Sequence, residues 1–218
     1  PQDFAEVLKF WRPSDSEIYL IDTINGPVTV PHNKTFHTAL AGPTGAGKTN
    51  MFRLLLAQSL YCGADVVIAN PNYAPIKMNG SSVEDWRPIA AMLKTPVARR
   101  IEDIMQVIDD GLAELDDRRE RQQRDPRPFT ERHYAFGEWP AIVSMLLSIF
   151  GKKIADAYTM KYGRLLRESR QYNYHVISEF QDALIQTIGG NSGIRENYRT
   201  ALYAGGDPIT AKALLDLR

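Results

Sequence analysis

Gly42-Pro43-Thr44-Gly45-Ala46-Gly47-Lys48-Thr49 fits the phosphate-binding loop pattern G-x-x-x-x-G-K-[ST]. Glycines at 42, 45 and 47 free the backbone to turn successive N–H groups toward an anion, and the helix that follows points its positive end at the same spot. In this pattern Lys48 reaches the β- and γ-phosphates of a nucleotide and Thr49 holds Mg²⁺. The flanks supply the required context. Thr35 to Ala41 reads as a short, mostly apolar strand, and Thr49 to Cys62 carries Met51, Leu54, Leu55 and Leu60 in helical spacing before Gly63 stops it. A glycine-rich turn without a ligand is the competing reading, and strand, loop and helix in this order weigh against it.

Outward from the loop, the chain has 218 residues, 44% of them hydrophobic, which suffices for one sizeable α/β core. Residues 1–34 read as a hairpin and lead-in, and residues 35–218 as the nucleotide-binding domain. From the start at Pro1 and the stop soon after an apparent helix start, the chain is expected to be a piece of a longer protein. Lys+Arg and Asp+Glu are equal at 26 each, so the whole chain exerts no net pull on nucleic acid or an anionic membrane, and a polyanion needs a local patch. Cys62, the single cysteine, excludes an internal disulfide framework, suits a reducing cytoplasm and reads as a small buried residue. The apolar run Ala141 to Phe150 falls short of the ~20 residues a membrane helix needs, and no signal peptide is present. This segment is therefore expected to be cytoplasmic and to touch no membrane, even if the full-length protein is tethered to one.

Ile18 to Ile24 and Val28 to Val30, separated by Asn25-Gly26-Pro27, form an expected hairpin. Ala64 to Ala69 is a β-branched run with no polar alternation, as expected for an interior parallel strand. Val83 to Leu93 is predicted helical, and Thr95-Pro96 is predicted to open a long helix with Ile101, Ile104, Ile108, Leu112 and Leu115 on one face. The charged end of that helix, Asp116 to Arg121, reads as solvated. His133 to Phe136 is a strand, Trp139 to Phe150 and the stretch from Gly151 to Arg170 are helices, and Tyr174 to Phe180 and Thr200 to Ala204 are strands; Asp207-Pro208 looks like a last helix start. The alternation predicts a parallel sheet with right-handed crossovers and a ligand beyond the strands' carboxyl ends.

Taken as an ordered set, these segments resemble the FtsK/HerA family of ring-forming, DNA-pumping ATPases from about Thr35 to Leu215. The similar stretches are His37 to Asn50, Glu114-Leu115-Asp116-Asp117-Arg118-Arg119, His175-Val176-Ile177-Ser178-Glu179-Phe180-Gln181, and Arg195 to Leu202. Two departures stand out. The family's second phosphate motif is an apolar strand ending in Asp-Glu, whereas this chain has Tyr134-Ala135-Phe136-Gly137-Glu138-Trp139; the strand after the first helix, which usually ends in Asp-Pro-Lys, ends in Asn70-Pro71-Asn72. Gly137 leaves Mg²⁺ dependent on Thr49, the phosphates and water.

The resemblance implies an α/β P-loop NTPase, a RecA/FtsK-like three-layer sandwich with a mostly parallel central sheet. It implies ATP and Mg²⁺ as cofactors, Gly42, Pro43, Thr44, Gly45, Ala46, Gly47, Lys48, Thr49 and Asn50 as the nucleotide cradle, and a homo-oligomeric ring, expected to be a hexamer, that moves single- or double-stranded DNA without reading its sequence. It gives Glu138 the polarisation of the attacking water, Gln181 the sensing of the γ-phosphate, and Arg170, with Arg167 as second choice, the cation offered to a neighbouring subunit's site. Each has a plain reading too: a helix-start carboxylate, a strand-end amide, and a helix-end arginine. Lys152, Lys153 and the loop 189–193 are the DNA-contact candidates, because Gly151 to Arg170 carries six cations against Asp156 and Glu168; a solvated amphipathic helix is the alternative. The four histidines show no metal-ligand spacing.

Three functions follow from this reading. The first is an ATP-driven DNA translocase motor domain for plasmid transfer or chromosome movement. The second is a nucleotide-binding ring subunit with impaired hydrolysis, for which Gly137→Asp is expected to raise turnover. The third is a small-molecule kinase with the segment Arg118 to Arg127 as a lid. A GTPase is disfavoured, since Asn33-Lys34-Thr35-Phe36 fails the guanine-reading pattern at its last position.

Overall fold

Tyr174 to Phe180 is buried at all seven positions, as a strand must be when it has neighbours on both edges and helices on both faces. The structure, a computed structural model, describes residues 17–31, 37–79, 82–181, 194, 196–198 and 200–205; the loop 189–193 and Asp207-Pro208 lie outside them. The elements in chain order are β1 (Glu17–Thr23), β2 (Gly26–Pro31), β3 (Thr38–Ala41), α1 (Lys48–Tyr61), β4 (Asp65–Ala69), β5 (Ile76–Asn79), β6 (Ser82–Asp85), α2 (Arg87–Ala90), α3 (Ile101–Arg124), β7 (Arg132–Phe136), α4 (Trp139–Phe150), α5 (Lys152–Glu168), a 3₁₀ turn (Arg170–Tyr172), β8 (Tyr174–Phe180) and β9 (Thr200–Tyr203). The central sheet runs β4-β7-β8-β3-β9, parallel throughout.

Alternation along the strands sorts side chains into two layers. Ala39, Ala41, Tyr134, Phe136, Tyr174 and Val176 meet α3, α4 and α5 through Ile104, Ile108, Leu115, Trp139, Tyr162 and Leu165. Leu40, Val66, Ile68, Ala135 and Ile177 face the other way, onto Phe52, Leu55 and Leu56 of α1, Ile89 of α2, Trp86, and Leu20 of the hairpin β1–β2. The result is the three-layer α/β sandwich expected from the sequence. The hairpin is held by Gln58, whose Oε1 accepts from the Tyr19 amide (2.8 Å) and whose Nε2 donates to the Tyr19 carbonyl (2.9 Å), so one side chain completes both backbone groups of a strand residue.

Several expected elements are replaced. Val83 to Leu93 is not one helix: residues 82–85 pair antiparallel with 76–79, and helix is confined to Arg87–Ala90. The long helix α3 begins at Ile101 rather than Thr95, capped by Arg100 in an extended conformation with no side-chain cap. The residues before it instead pair Ala98 with Ala69, exchanging bonds with Ile68 and Asn70. The reason is that β4 is the edge of the sheet rather than an interior strand, and its exposed backbone groups take up this segment. Cys62 is half-buried, because it closes α1 at the surface.

The charged end of α3 is solvated only in part. Arg118, 6% exposed, donates to the carbonyls of Thr130 (2.9 Å) and Tyr172 (2.8 Å), pairs with Glu114 (2.8 Å) and lies 4.3 Å over the Tyr174 ring. It ties α3 to the amino ends of β7 and β8. Among the described residues no helix is long and apolar enough to cross a membrane.

Candidate functional site

The phosphate-loop pattern lies where a parallel sheet delivers ligand groups, at the carboxyl end of β3. Gly45 (φ 83°) and Gly47 (φ 89°) take left-handed conformations on either side of Ala46, the alternation that turns consecutive amides toward one anion. Gly42 (φ 147°) answers to a different demand: a Cβ there would stand 2.7 Å from the Ala204 carbonyl oxygen at the end of β9. Helix α1 starts at Lys48 with no side-chain cap and no acidic residue in its first turn, so among the described residues no side chain caps its leading N–H groups. The Lys48 ammonium lies back across the loop and donates to the Pro43 carbonyl (2.9 Å).

Three carboxylate-end features of the neighbouring strands converge on this loop. Glu138, two residues past the end of β7, holds a left-handed φ of 53°, a conformation that costs a non-glycine residue about 1–3 kcal/mol and persists where the surroundings enforce it. Its carbonyl accepts from Ala141 and Ile142 of α4, and its Oε2 accepts from Asn72 Nδ2 at 2.9 Å. Glu179, the penultimate residue of β8, is 2% exposed and its Oε1 has no hydrogen-bond partner among the described residues. Burial first, then the charge of Glu138, pushes its carboxyl up to about 7 against the pull of Lys48 and a hydrogen bond from the Thr49 hydroxyl. Gln181 follows at the end of β8, exposed, beside the Ala41 to Gly42 step. Sequence reading passes over Glu179; its signal is the single acidic residue in a strand buried at every position.

Gly137 is the departure from the family pattern, and it has a steric reason. A Cβ on Gly137 would meet Asn70 at 2.5 Å (Nδ2), 2.6 Å (Cγ) and 3.0 Å (Cβ). Asn70 is itself held, its Oδ1 accepting from the Asn72 amide (2.9 Å). The two departures read from the sequence, at 70–72 and at 137, are thus one packing arrangement, and a simple Gly137→Asp exchange has no room.

Arg170 lies in the 3₁₀ turn before β8, at the end of the sheet opposite the loop. A seven-residue strand separates the two ends by about 20 Å at ~3.3 Å per residue, so Arg170 does not reach Lys48 within one chain. Arg167, exposed near the end of α5, shares that placement. Lys152 and Lys153 lie at the opposite tip of α5. Tyr162 bonds the Ser178 hydroxyl (2.6 Å) and stacks on Trp139 (3.6 Å), so the first turn of α5 extends about 15 Å past that level at ~1.5 Å per residue. Much of the positive charge expected along α5 is spent inside the molecule: Lys161 pairs with Asp109 (2.5 Å), Arg164 with Asp116 and with Glu168 (3.1 Å), and Lys152 with Asp156 (2.6 Å).

At the amino end of the sheet the fold assembles a cluster that spacing does not announce. His133 and His175, register partners on β7 and β8, stack at 4.5 Å with planes 11° apart, and both share Glu131 Oε1 through Nε2. His133 Nδ1 bonds Ser59 Oγ (3.0 Å). These groups lie close enough to be considered as metal ligands, but parallel stacked imidazoles aim their lone pairs side by side rather than at a common point. The adjoining cavity of about 10 Å³ is water-sized.

No protein-family model matches the chain, and no curated protein matches it in sequence. Solved structures do share its fold. The pCW3 conjugation coupling protein TcpA, in a monomer form with ATPγS, superposes with a TM-score of 0.78 at 15% identity over 99% of this chain and 61% of its own. The cytoplasmic domain of EssC gives 0.69 at 10% identity over 93% of this chain and 39% of its own. That of the Thermomonospora curvata type VII secretion ATPase EccC gives 0.64 at 14% identity over 90% and 23%. The chain shares the α/β fold of these proteins, and it spans less than two thirds of the length of each.

Proposed function

We propose that this chain binds ATP with Mg²⁺ and hydrolyses it to drive DNA through a homo-oligomeric ring. The observation that carries the reading is the meeting, at the carboxyl ends of three adjacent parallel strands, of a left-handed glycine loop with an uncapped helix, Lys48, Thr49, Glu138 and Glu179. The loop amides and Lys48 bind the phosphates and cap α1 from outside. Glu138, set by α4 and Asn72, orients a water in line with the γ-phosphorus. Gln181, at the next strand end, bonds the γ-phosphate and reports its departure. The residues present fit magnesium: the Thr49 hydroxyl and an unpartnered buried carboxylate oxygen are hard oxygen ligands. When bound, the ion neutralises charge on the phosphates.

Arg170, at the far end of the sheet, fits a role only toward a neighbouring subunit. Lys152 and Lys153, on the tip that projects past the sheet, suit contact with a phosphate backbone in a central pore. The TcpA likeness supports DNA as the track, since that protein is a conjugation coupling protein.

The test is ATP turnover with and without DNA. Wild-type turnover stimulated by DNA, lost with Lys48→Ala and reduced about 10²–10⁴-fold with Glu138→Gln, is the expected result. Absence of stimulation by any DNA under conditions where oligomers form overturns the motor reading. A second reading, a nucleotide-binding ring subunit of low turnover, is favoured by Gly137; brisk wild-type hydrolysis that collapses with Glu138→Gln eliminates it.

A further inference from the structure

The carboxylate missing from β7 has a counterpart one strand closer to the nucleotide loop. Phe136 is the register partner of Ser178 and Leu40 that of Glu179, so one step beyond Phe136, Gly137 falls level with Glu179. Strand alternation puts Glu179 on the same face as Ile177, toward α1. That is the side from which Thr49 donates to it. On β7 the equivalent position cannot carry a side chain without displacing Asn70.

A carboxylate used only for packing would have its oxygens satisfied by N–H or O–H donors, because burying an unpaired one is expensive. Glu179 Oε1 is buried without a donor among the described residues, and the charges of Lys48, Glu138 and Glu84 act on the carboxylate. Two like charges and an orphan oxygen beside a phosphate loop make a place that a divalent cation stabilises.

We propose that Glu179 is the cation-binding carboxylate of this nucleotide site, supplying with Thr49 the magnesium support that Gly137 cannot. The assignment rests on the nucleotide-binding reading above. It moves the acidic group sideways by one strand while keeping its height and its face of the sheet.

The experiment is titration of ATPγS into the chain by calorimetry, in EDTA and across a Mg²⁺ series, for wild type, Glu179→Gln and Glu179→Asp. Glutamine preserves the shape and removes the charge. Glu179→Gln is expected not to weaken metal-free ATPγS binding, since it removes a negative charge beside the phosphates, and to raise the Mg²⁺ concentration for half-maximal enhancement by about 10–100-fold, with Glu179→Asp between the two. Electron paramagnetic resonance of Mn²⁺ in place of Mg²⁺ is expected to show the same loss of bound ion. If wild type binds MgATPγS and Glu179→Gln needs no more Mg²⁺ than wild type, the assignment is wrong and the nucleotide site stands. If wild type binds no ATPγS in any Mg²⁺ concentration, the nucleotide reading falls and this assignment with it.

Discussion

Gly137 and Asn70 occupy one another's room, and this changes what the glycine means. Read alone, Gly137 is a lost metal ligand that Gly137→Asp would restore. In the fold, Asn70 Nδ2 stands 2.5 Å from where the new Cβ would be. Gly137→Asp is therefore expected to cost about 1–3 kcal/mol by overpacking, with no gain in turnover. Pairing it with Asn70→Ala should recover part of that loss, a coupling of about 0.5–3 kcal/mol. Urea unfolding of the four proteins in the cycle measures it, and strictly additive losses would refute the steric account. The first glycine of the loop carries a similar lesson. Gly42 is called for by phosphate chemistry in the motif, and equally by the Ala204 carbonyl of a strand distant in sequence. Arg118 looked like one charge in a solvated run and is instead a buried anchor, since the carbonyls of Thr130 and Tyr172 need donors that only a long forked side chain supplies.

Elements with one dominant periodicity were readable from the chain: α1, α4, α5, β7 and β8 lie close to their expected limits. Those whose role depends on a neighbour were not. Thr95-Pro96 carries the signals of a helix start, yet the stretch it opens covers the edge of β4, where unpaired backbone groups outweigh a local cap. Residues 76–79 and 82–85 pair antiparallel with Ile76, Met78 and Val83 exposed, so no alternation toward the core marks them. Beside the packing of Leu20, the hairpin β1–β2 is tied to α1 by Gln58, and Gln58→Leu is expected to remove the bonds that side chain makes to the Tyr19 amide and carbonyl. The loss should be about 1–3 kcal/mol. Hydrogen exchange should show early opening at Tyr19 ahead of the sheet core; unchanged protection there would mean the hairpin is held by packing alone.

At the scale of the whole molecule, equal numbers of acidic and basic residues remove any general attraction for nucleic acid. The α3 and α5 helices then pair Arg119 with Glu168, Lys161 with Asp109 and Arg164 with Asp116, which consumes much of the remaining positive charge. What projects is the turn between α4 and α5, with Lys152 and Lys153. If that turn meets a phosphate backbone, Lys152→Ala with Lys153→Ala lowers the slope of log affinity against log salt by about 2, roughly one per lysine, while ATPγS binding is unchanged. Fluorescence anisotropy with labelled DNA across a salt series reads this directly. An unaltered slope would remove the turn from the DNA path.

The sequence alone determined the phosphate loop, the strands and helices around it, and hence a parallel α/β class, because those features depend on consecutive residues and on periods of two and 3.6. Only the tertiary structure decided that β8 lies between β3 and β7, that Glu179 therefore faces Thr49, that Asn70 fills the space beside Gly137, and that Arg118 is buried. Each of these is a contact between residues far apart in the chain. Their proximity follows from strand order and register, which hydrogen bonding across the whole sheet selects and no local pattern encodes.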